Sequence, residues 1–340
     1  MKTFAARRAR LIAQMHSNGG GVAIIPTAAV AMRNSDVDYP FRHDSYFYHL
    51  SGFTEPEAFI VLVAGKTSQS ILFCREKDAE REIWDGLRYG PEAARDTFGF
   101  DAAYPISAMD KEIPKLLADM PAVYYGFARD TKLDAQVQSW LEKVRRQVRA
   151  GIGAPNTVHD IYPYLDEMRL FKDADEIACM QRAATISAEA HARAMRFCRP
   201  GVTEYQIEAE LLHEFRRHGS EFPAYTSIVA TGKNACVLHY QAGASVVQDG
   251  DLVLIDAGCE LTSYASDITR TFPANGKFSA PQQALYELVL AAQYAAIAAI
   301  KPGLCFNDSH DAAVKVLAQG MLDTGLLDKN KCGSLEDVIA

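Results

Sequence analysis

Apolar positions in the first 165 or so residues come in short β-type runs separated by helical spacings. The runs at 22–25, 58–63, 70–73 and 122–125 read as strands, and 135–148 reads as a helix. Ahead of them, Phe4, Leu11, Ile12 and Met15 fall on one side of an amphipathic first helix that feeds the strand at 22–25. Gly151, Gly153 and Pro155 make 149–156 a loop. A domain change is expected between 155 and 172, giving domains 1–165 and 166–340.

The second half is more regular. Asp173 and Glu176 form a capping-box start, after which Ile177, Met180, Ala184, Ala188, His191 and Met195 recur at helical spacing up to Cys198. Pro200-Gly201 stops that helix. Thr203 and Gln206 open another with the stripe Ile207, Leu211, Phe215, and Gly219 suits its C-terminal cap. The period then changes from 3.6 to 2, and 226–231, 236–240, 251–257 and 264–272 read as strands. Helices return at 281–300 and 308–322, separated by Pro302-Gly303.

This is an internal repeat. Arg199-Pro200-Gly201 and Lys301-Pro302-Gly303 lie 102 residues apart, each between a long helix and a shorter one. A β unit follows the first copy at once. An equivalent unit, on the order of fifty residues or more, is expected after the second and is absent from these 340 residues.

Composition narrows the function classes. Lys and Arg number 35 against 43 Asp and Glu, a net charge of −8, which argues against nucleic acid and anionic membrane surfaces as partners. The most apolar segment, 284–300, is interrupted by Glu287 and Gln293 and is too short to span a bilayer. Seven dispersed cysteines without a C-x-x-C pair fit reduced thiols and a cytoplasmic protein. The first 35 residues are basic and free of acids, as in a transit peptide, but the helical pattern is the reading preferred.

The chemistry centres on two acids. Asp256 ends the strand at 251–257, and Asp267 lies in the next strand-like segment. Alternation puts Leu252, Leu254 and Asp256 on one face, and Asp267, Thr269 and Thr271 on one face of the partner. A hairpin therefore brings the two aspartates side by side. Paired carboxylates repel unless a proton or cation sits between them, and such oxygen donors favour hard or borderline divalent metals such as Mn²⁺. The plain alternative is two solvent-facing acids at strand ends. His239 is expected on a strand before the hairpin, as a catalytic group or an ordinary surface histidine. Tyr225 and Thr269 are candidates to orient a ligand carboxylate, or simply core aromatic and strand former.

Tyr225, Leu238-His239-Tyr240, Asp256-Ala257-Gly258 and the segment from Ser266-Asp267 to Pro273 together resemble the aminopeptidase P branch of the creatinase-fold, or pita-bread, metallopeptidases. The stretches Arg33-Asn34-Ser35-Asp36, Asp38-Tyr39-Pro40, Tyr46, 51–57 and 168–172 resemble that family too, so the likeness covers nearly the whole chain. It implies an α/β (α+β) fold: a creatinase-like mixed α/β N-terminal domain followed by an incomplete pita-bread catalytic domain. It also implies removal of the N-terminal residue from peptides with proline second, by a hydroxide bridging two divalent ions, typically manganese. Asp256 would bind one metal, Asp267 both, and His239 would contact substrate, with Tyr225 and Thr269 orienting the ligands. Trp84 matches a tryptophan lent to a neighbouring subunit, which implies a homo-oligomer, dimer or tetramer.

The family's remaining ligands, a histidine in an H-x-x-G-H-like strand and two glutamates, have no match here. Only His310 follows Asp267, at a helix start, and the later Glu287 and Glu336 do not fit. This chain alone is thus expected to be inactive. A prolidase cleaving only dipeptides, and a non-catalytic binding protein on the same fold, are the alternatives.

Overall fold

The computed structural model describes residues 2–339, and the chain divides into two compact units between Asp173 and Ala174. The first unit holds β1 (Gly21–Pro26), β2 (Phe59–Ala64), β3 (Ser68–Cys74), β4 (Ala102–Pro105), β5 (Ala122–Tyr125) and β6 (Thr157–Asp160). Its helices are α1 (Lys2–Ser17), α2 (Ser45–Ser51), α3 (Ala79–Asp85), α4 (Gly90–Phe98), α5 (Met109–Leu117), α6 (Thr131–Arg145) and α7 (Tyr162–Leu170). The six strands form one mixed sheet in the order β4-β3-β2-β1-β5-β6.

That sheet is apolar on both faces, as a sheet covered on two sides must be. Ala23 and Ile25 point to a core shared with Leu11 and Met15 of α1, Phe47 and Leu50 of α2, and Leu165 and Met168 of α7. Val22 and Ile24 point to the opposite core, with Ile113 and Leu117 of α5 and Val137, Trp140 and Val144 of α6. Packing of α7 into this core is why the units divide eight residues beyond the boundary expected at 165/166. Arg8 of α1 is 1% exposed, its guanidinium donating to the carbonyls of Leu50, Phe98 and Gly99 and lying over the Phe100 ring.

The second unit begins with α8 (Ala174–Phe197) and α9 (Glu204–Arg217). There follow β7 (Phe222–Pro223), β8 (Ile228–Thr231), β9 (Leu252–Ala257), β10 (Cys259–Leu261), β11 (Tyr264–Ala265) and β12 (Ile268–Pro273), then α10 (Ala280–Ala299) and α11 (Phe306–Asp323). The strands form two three-stranded sheets, β11-β10-β7 and β12-β9-β8. Val229, Val253, Ile255 and Ala257 face a core covered by α8 and α9.

Three expectations change here. The buried stripe of α8 is Ala183, Ile186, Ala190 and Ala194, while Ile177 and Met180 are exposed. Small side chains bring the helix close to the sheet, and spacing alone did not choose between two adjacent faces. The segment 236–240 is not a strand: a 3-10 turn covers Gly232–Cys236, with Gly232 at φ 54, and a turn follows. The strand read at 264–272 is broken at Ser266-Asp267 into β11 and β12. Thr262 and Ser263, at φ 51 and 69, turn β10 back onto β11, so Ser266-Asp267 becomes a corner rather than a strand interior. The helix after Pro281 and the one before Leu322 form α10 and α11 as expected, packing on each other with Gly320 against Leu288.

Candidate active site

The site lies on the face of the β12-β9-β8 sheet that α8 and α9 leave open. Along β9 the core takes Val253, Ile255 and Ala257, and alternation turns Leu252, Leu254 and Asp256 the other way. Antiparallel pairing sets Thr269 of β12 and Ile228 of β8 opposite Asp256. The expected cross-strand pairing of Asp256 with Asp267 is therefore offset. Continuing the register puts Asp267 level with Gly258, and the two acids meet on the diagonal.

Two features fix that corner. A Cβ on Gly258 would run into the Ser266 carbonyl, so only glycine admits the close crossing of the two chains. The Ser266 hydroxyl is buried against Ser187 Oγ of α8 at 2.7 Å and lies 2.9 Å from the Cys259 carbonyl, while the Cys259 amide donates to Ser187 Oγ at 2.9 Å. These bonds tie the residue before Asp267 to α8 and to the strand after Asp256.

Tyr225 closes the arrangement. Its hydroxyl lies 2.5 Å from Asp256 Oδ1 and 3.0 Å from Asp267 Oδ1, so both carboxylates converge on one phenol. Burial, followed by the hydrogen bonds to Asp256 and then Asp267, holds that phenol far above the ordinary tyrosine range. The cavity they line, of about 450 Å³, also takes Thr226, Ile228, His239, Tyr240 and Gln241. Two carboxylates that share one proton donor are a donor set a divalent cation fits, since it neutralises both charges where the phenol now supplies a single proton. Among the described residues, no third His, Cys, Asp or Glu joins them in a ligand cluster. Glu189, Glu214 and His218 do cluster, but Glu214 is bonded by Arg193 at 3.3 Å and His218 at 2.8 Å, an ion-pair network.

The other sequence candidates are placed as follows. His239 is exposed on a turn in the cavity wall, not on a strand. Thr269 stands across from Asp256, on an exposed position of β12. Trp84 belongs to the first unit, on α3, and is 80% exposed.

Sequence reasoning missed Glu204. It is an acid in the first turn of α9, 0% exposed, and accepts four hydrogen bonds from residues 231–243, the segment that carries His239. Its only sequence signal is its place after the Thr203 cap, directly before the α9 apolar stripe.

The chain matches two family descriptions, "Aminopeptidase P, N-terminal domain" over residues 4–124 and "Metallopeptidase family M24" over 178–334. It is 41% identical over 339 residues to the Xaa-Pro aminopeptidase of Escherichia coli (strain K12), covering 99% of this chain and 76% of that one. Its structure superposes on that of Pseudomonas aeruginosa aminopeptidase PepP with a TM-score of 0.94 at 46% identity, covering 99% of this chain and 75% of the other. It also superposes on Zn-substituted E. coli aminopeptidase P in complex with product, with a TM-score of 0.94 at 40% identity, covering 99% and 76%. These are pita-bread aminopeptidase structures, and the second unit shares their fold. With an aminopeptidase P N-terminal domain preceding an M24 catalytic domain, and with such identity to enzymes of one specificity, the chain belongs to the Xaa-Pro aminopeptidases of metallopeptidase family M24.

Proposed function

We propose that the protein removes the N-terminal residue from peptides whose second residue is proline, with the cavity at Asp256 and Asp267 as its active site. The observation that carries this reading is the convergence of those two carboxylates on the Tyr225 hydroxyl. Asp256 would hold one divalent ion and Asp267 two, manganese being the metal proposed. When bound, such ions polarise the scissile carbonyl and lower the pKa of a water that attacks it.

The chain's own residues supply positioning and charge stabilisation. The Asp256 and Asp267 oxygens stay aligned because Tyr225 bridges them and Gly258 lets their strands cross. His239, in the cavity wall, donates to the scissile carbonyl oxygen as negative charge builds on it. Thr269, across from Asp256, supports the Asp256 side of the pair. Exposed Trp84 serves a neighbouring copy in a homodimer or tetramer. The seven dispersed cysteines are free, which supports a cytoplasmic site of action. No described helix is long and apolar enough to cross a membrane. Two carboxylates are few ligands, so weak metal binding is expected of the residues present.

The test is hydrolysis of an Xaa-Pro-Xaa tripeptide and an Xaa-Pro dipeptide, with Mn²⁺ and with chelator. Metal-dependent cleavage of the tripeptide, abolished by Asp267→Asn, supports the reading. Cleavage of the dipeptide alone would make the protein a prolidase. Metal uptake with no cleavage of either peptide would make it a binding protein on this fold.

A further inference from the structure

We propose that Glu204 is a positioning residue whose buried carboxylate sets the place of the arm 232–245, and with it His239 and Tyr240 in the cavity wall. Both ends of the arm meet on this one group. Oε1 accepts from the Thr231 amide at 2.9 Å and from Asn234 Nδ2 at 2.9 Å. Oε2 accepts from the Tyr240 hydroxyl at 2.8 Å and the Gly243 amide at 3.1 Å. Backbone bonds from Glu204 N to the Ser245 carbonyl and from Tyr205 N to the Gly243 carbonyl, each 3.2 Å, hold the returning half of the arm beside them.

Within the arm, Asn234 Nδ2 also donates to the Tyr240 hydroxyl at 2.9 Å and to Ser245 Oγ at 3.0 Å, tying its two halves together. The arm is not a sheet strand, and Val237 and Leu238 are 54% and 88% exposed; Ala242 packs against the core, but burial anchors little of the arm. What places it is hydrogen bonding to a group that is itself 0% exposed. Four donors and the N-terminal end of α9 offset the cost of burying that charge. Glutamine is nearly isosteric but cannot replace it, because its amide nitrogen would face two of the four donors. His239 sits at the tip between the two halves of the arm, next to Tyr240, which bonds Glu204 directly. Glu204 therefore acts on the cavity through the arm, without lining it.

Two independent readouts test this. Hydrogen exchange followed by mass spectrometry needs only the folded protein, whereas the kinetic arm rests on the aminopeptidase reading. Glu204→Gln is expected to speed exchange in peptides covering 232–245 about tenfold or more while leaving β9 and β12 unchanged. In the manganese-loaded protein it lowers kcat/KM for an Xaa-Pro tripeptide about tenfold or more. His239→Ala then costs less than about twofold further in the Glu204→Gln background, because the two act through one geometry. Unchanged exchange at 232–245, an equal rise in β9 and β12, or two effects that multiply would each overturn the proposal. If the parent protein cleaves nothing, only the aminopeptidase reading fails, and exchange still decides the role of Glu204. If Glu204→Gln does not fold, Tyr240→Phe removes one donor from Oε2. About threefold faster exchange in the same peptides supports the proposal, and no change overturns it.

Discussion

Tyr225 stands 2.5 Å from Asp256, its hydroxyl inserted where Asp256 and Asp267 would otherwise face each other bare. Removing that hydroxyl leaves both acids in place but unbridged. Tyr225→Phe is expected to weaken Mn²⁺ binding about tenfold or more, the usual cost of losing a group that orients a metal ligand. Calorimetric titration with Mn²⁺ measures this, with circular dichroism showing the fold intact.

Replacing either acid separates stability from metal affinity. Without a cation, two converging carboxylates repel, so Asp256→Asn or Asp267→Asn should raise the melting temperature of the metal-free protein by up to about 3 °C. The same substitutions should abolish measurable Mn²⁺ binding. A fall in melting temperature would mean that each carboxylate gives more to the fold, through Tyr225, than the pair loses by repulsion.

Gly258 is the narrowest point of the site. Gly258→Ala pushes a methyl group into the Ser266 carbonyl. The strands must part, at a cost of about 1–3 kcal/mol or more, read from the urea midpoint. Because the displaced residue precedes Asp267, metal binding should fall with stability. An alanine variant as stable as the parent would show that the crossing yields easily.

The thiols give a prediction on alkaline stability. Burial pushes Cys74 up to about 12 and Cys198 up to about 11, above the ordinary thiol value of 9.0. Exposed Cys236 and Cys305 should react with a thiol reagent at pH 8 in the native protein, and buried Cys74 only after unfolding. Between pH 9 and about 12 the unfolded chain releases the Cys74 proton and the folded chain keeps it. The stability linked to this thiol is therefore present below pH 9 and lost as pH rises toward 12. Urea titrations in that window should show the decline, and Cys74→Ala should flatten it.

Local pattern carried much of the architecture. The runs at 22–25, 58–63 and 70–73 lie within β1, β2 and β3 or overlap them closely, and the Thr203–Gln206 capping box opens α9. Those features rest on interactions within a few residues or on burial from both faces, which leave a periodic mark. The α8 stripe was misplaced by one residue because helical spacing fits Ile177 and Ala183 equally well, and only the approach of the sheet selects the small residues.

Sequence alone determined that Asp256 faces away from the core and that a hairpin returns toward it, since alternation and turn residues are local properties of the chain. Tertiary structure decided the rest: the diagonal meeting of Asp256 and Asp267, the turn that carries His239, and the burial of Glu204. The physical reason is the same in each case. A side chain's partner across space is set by register and by the closeness of crossing chains, and neither leaves a periodic trace in the residues on one strand.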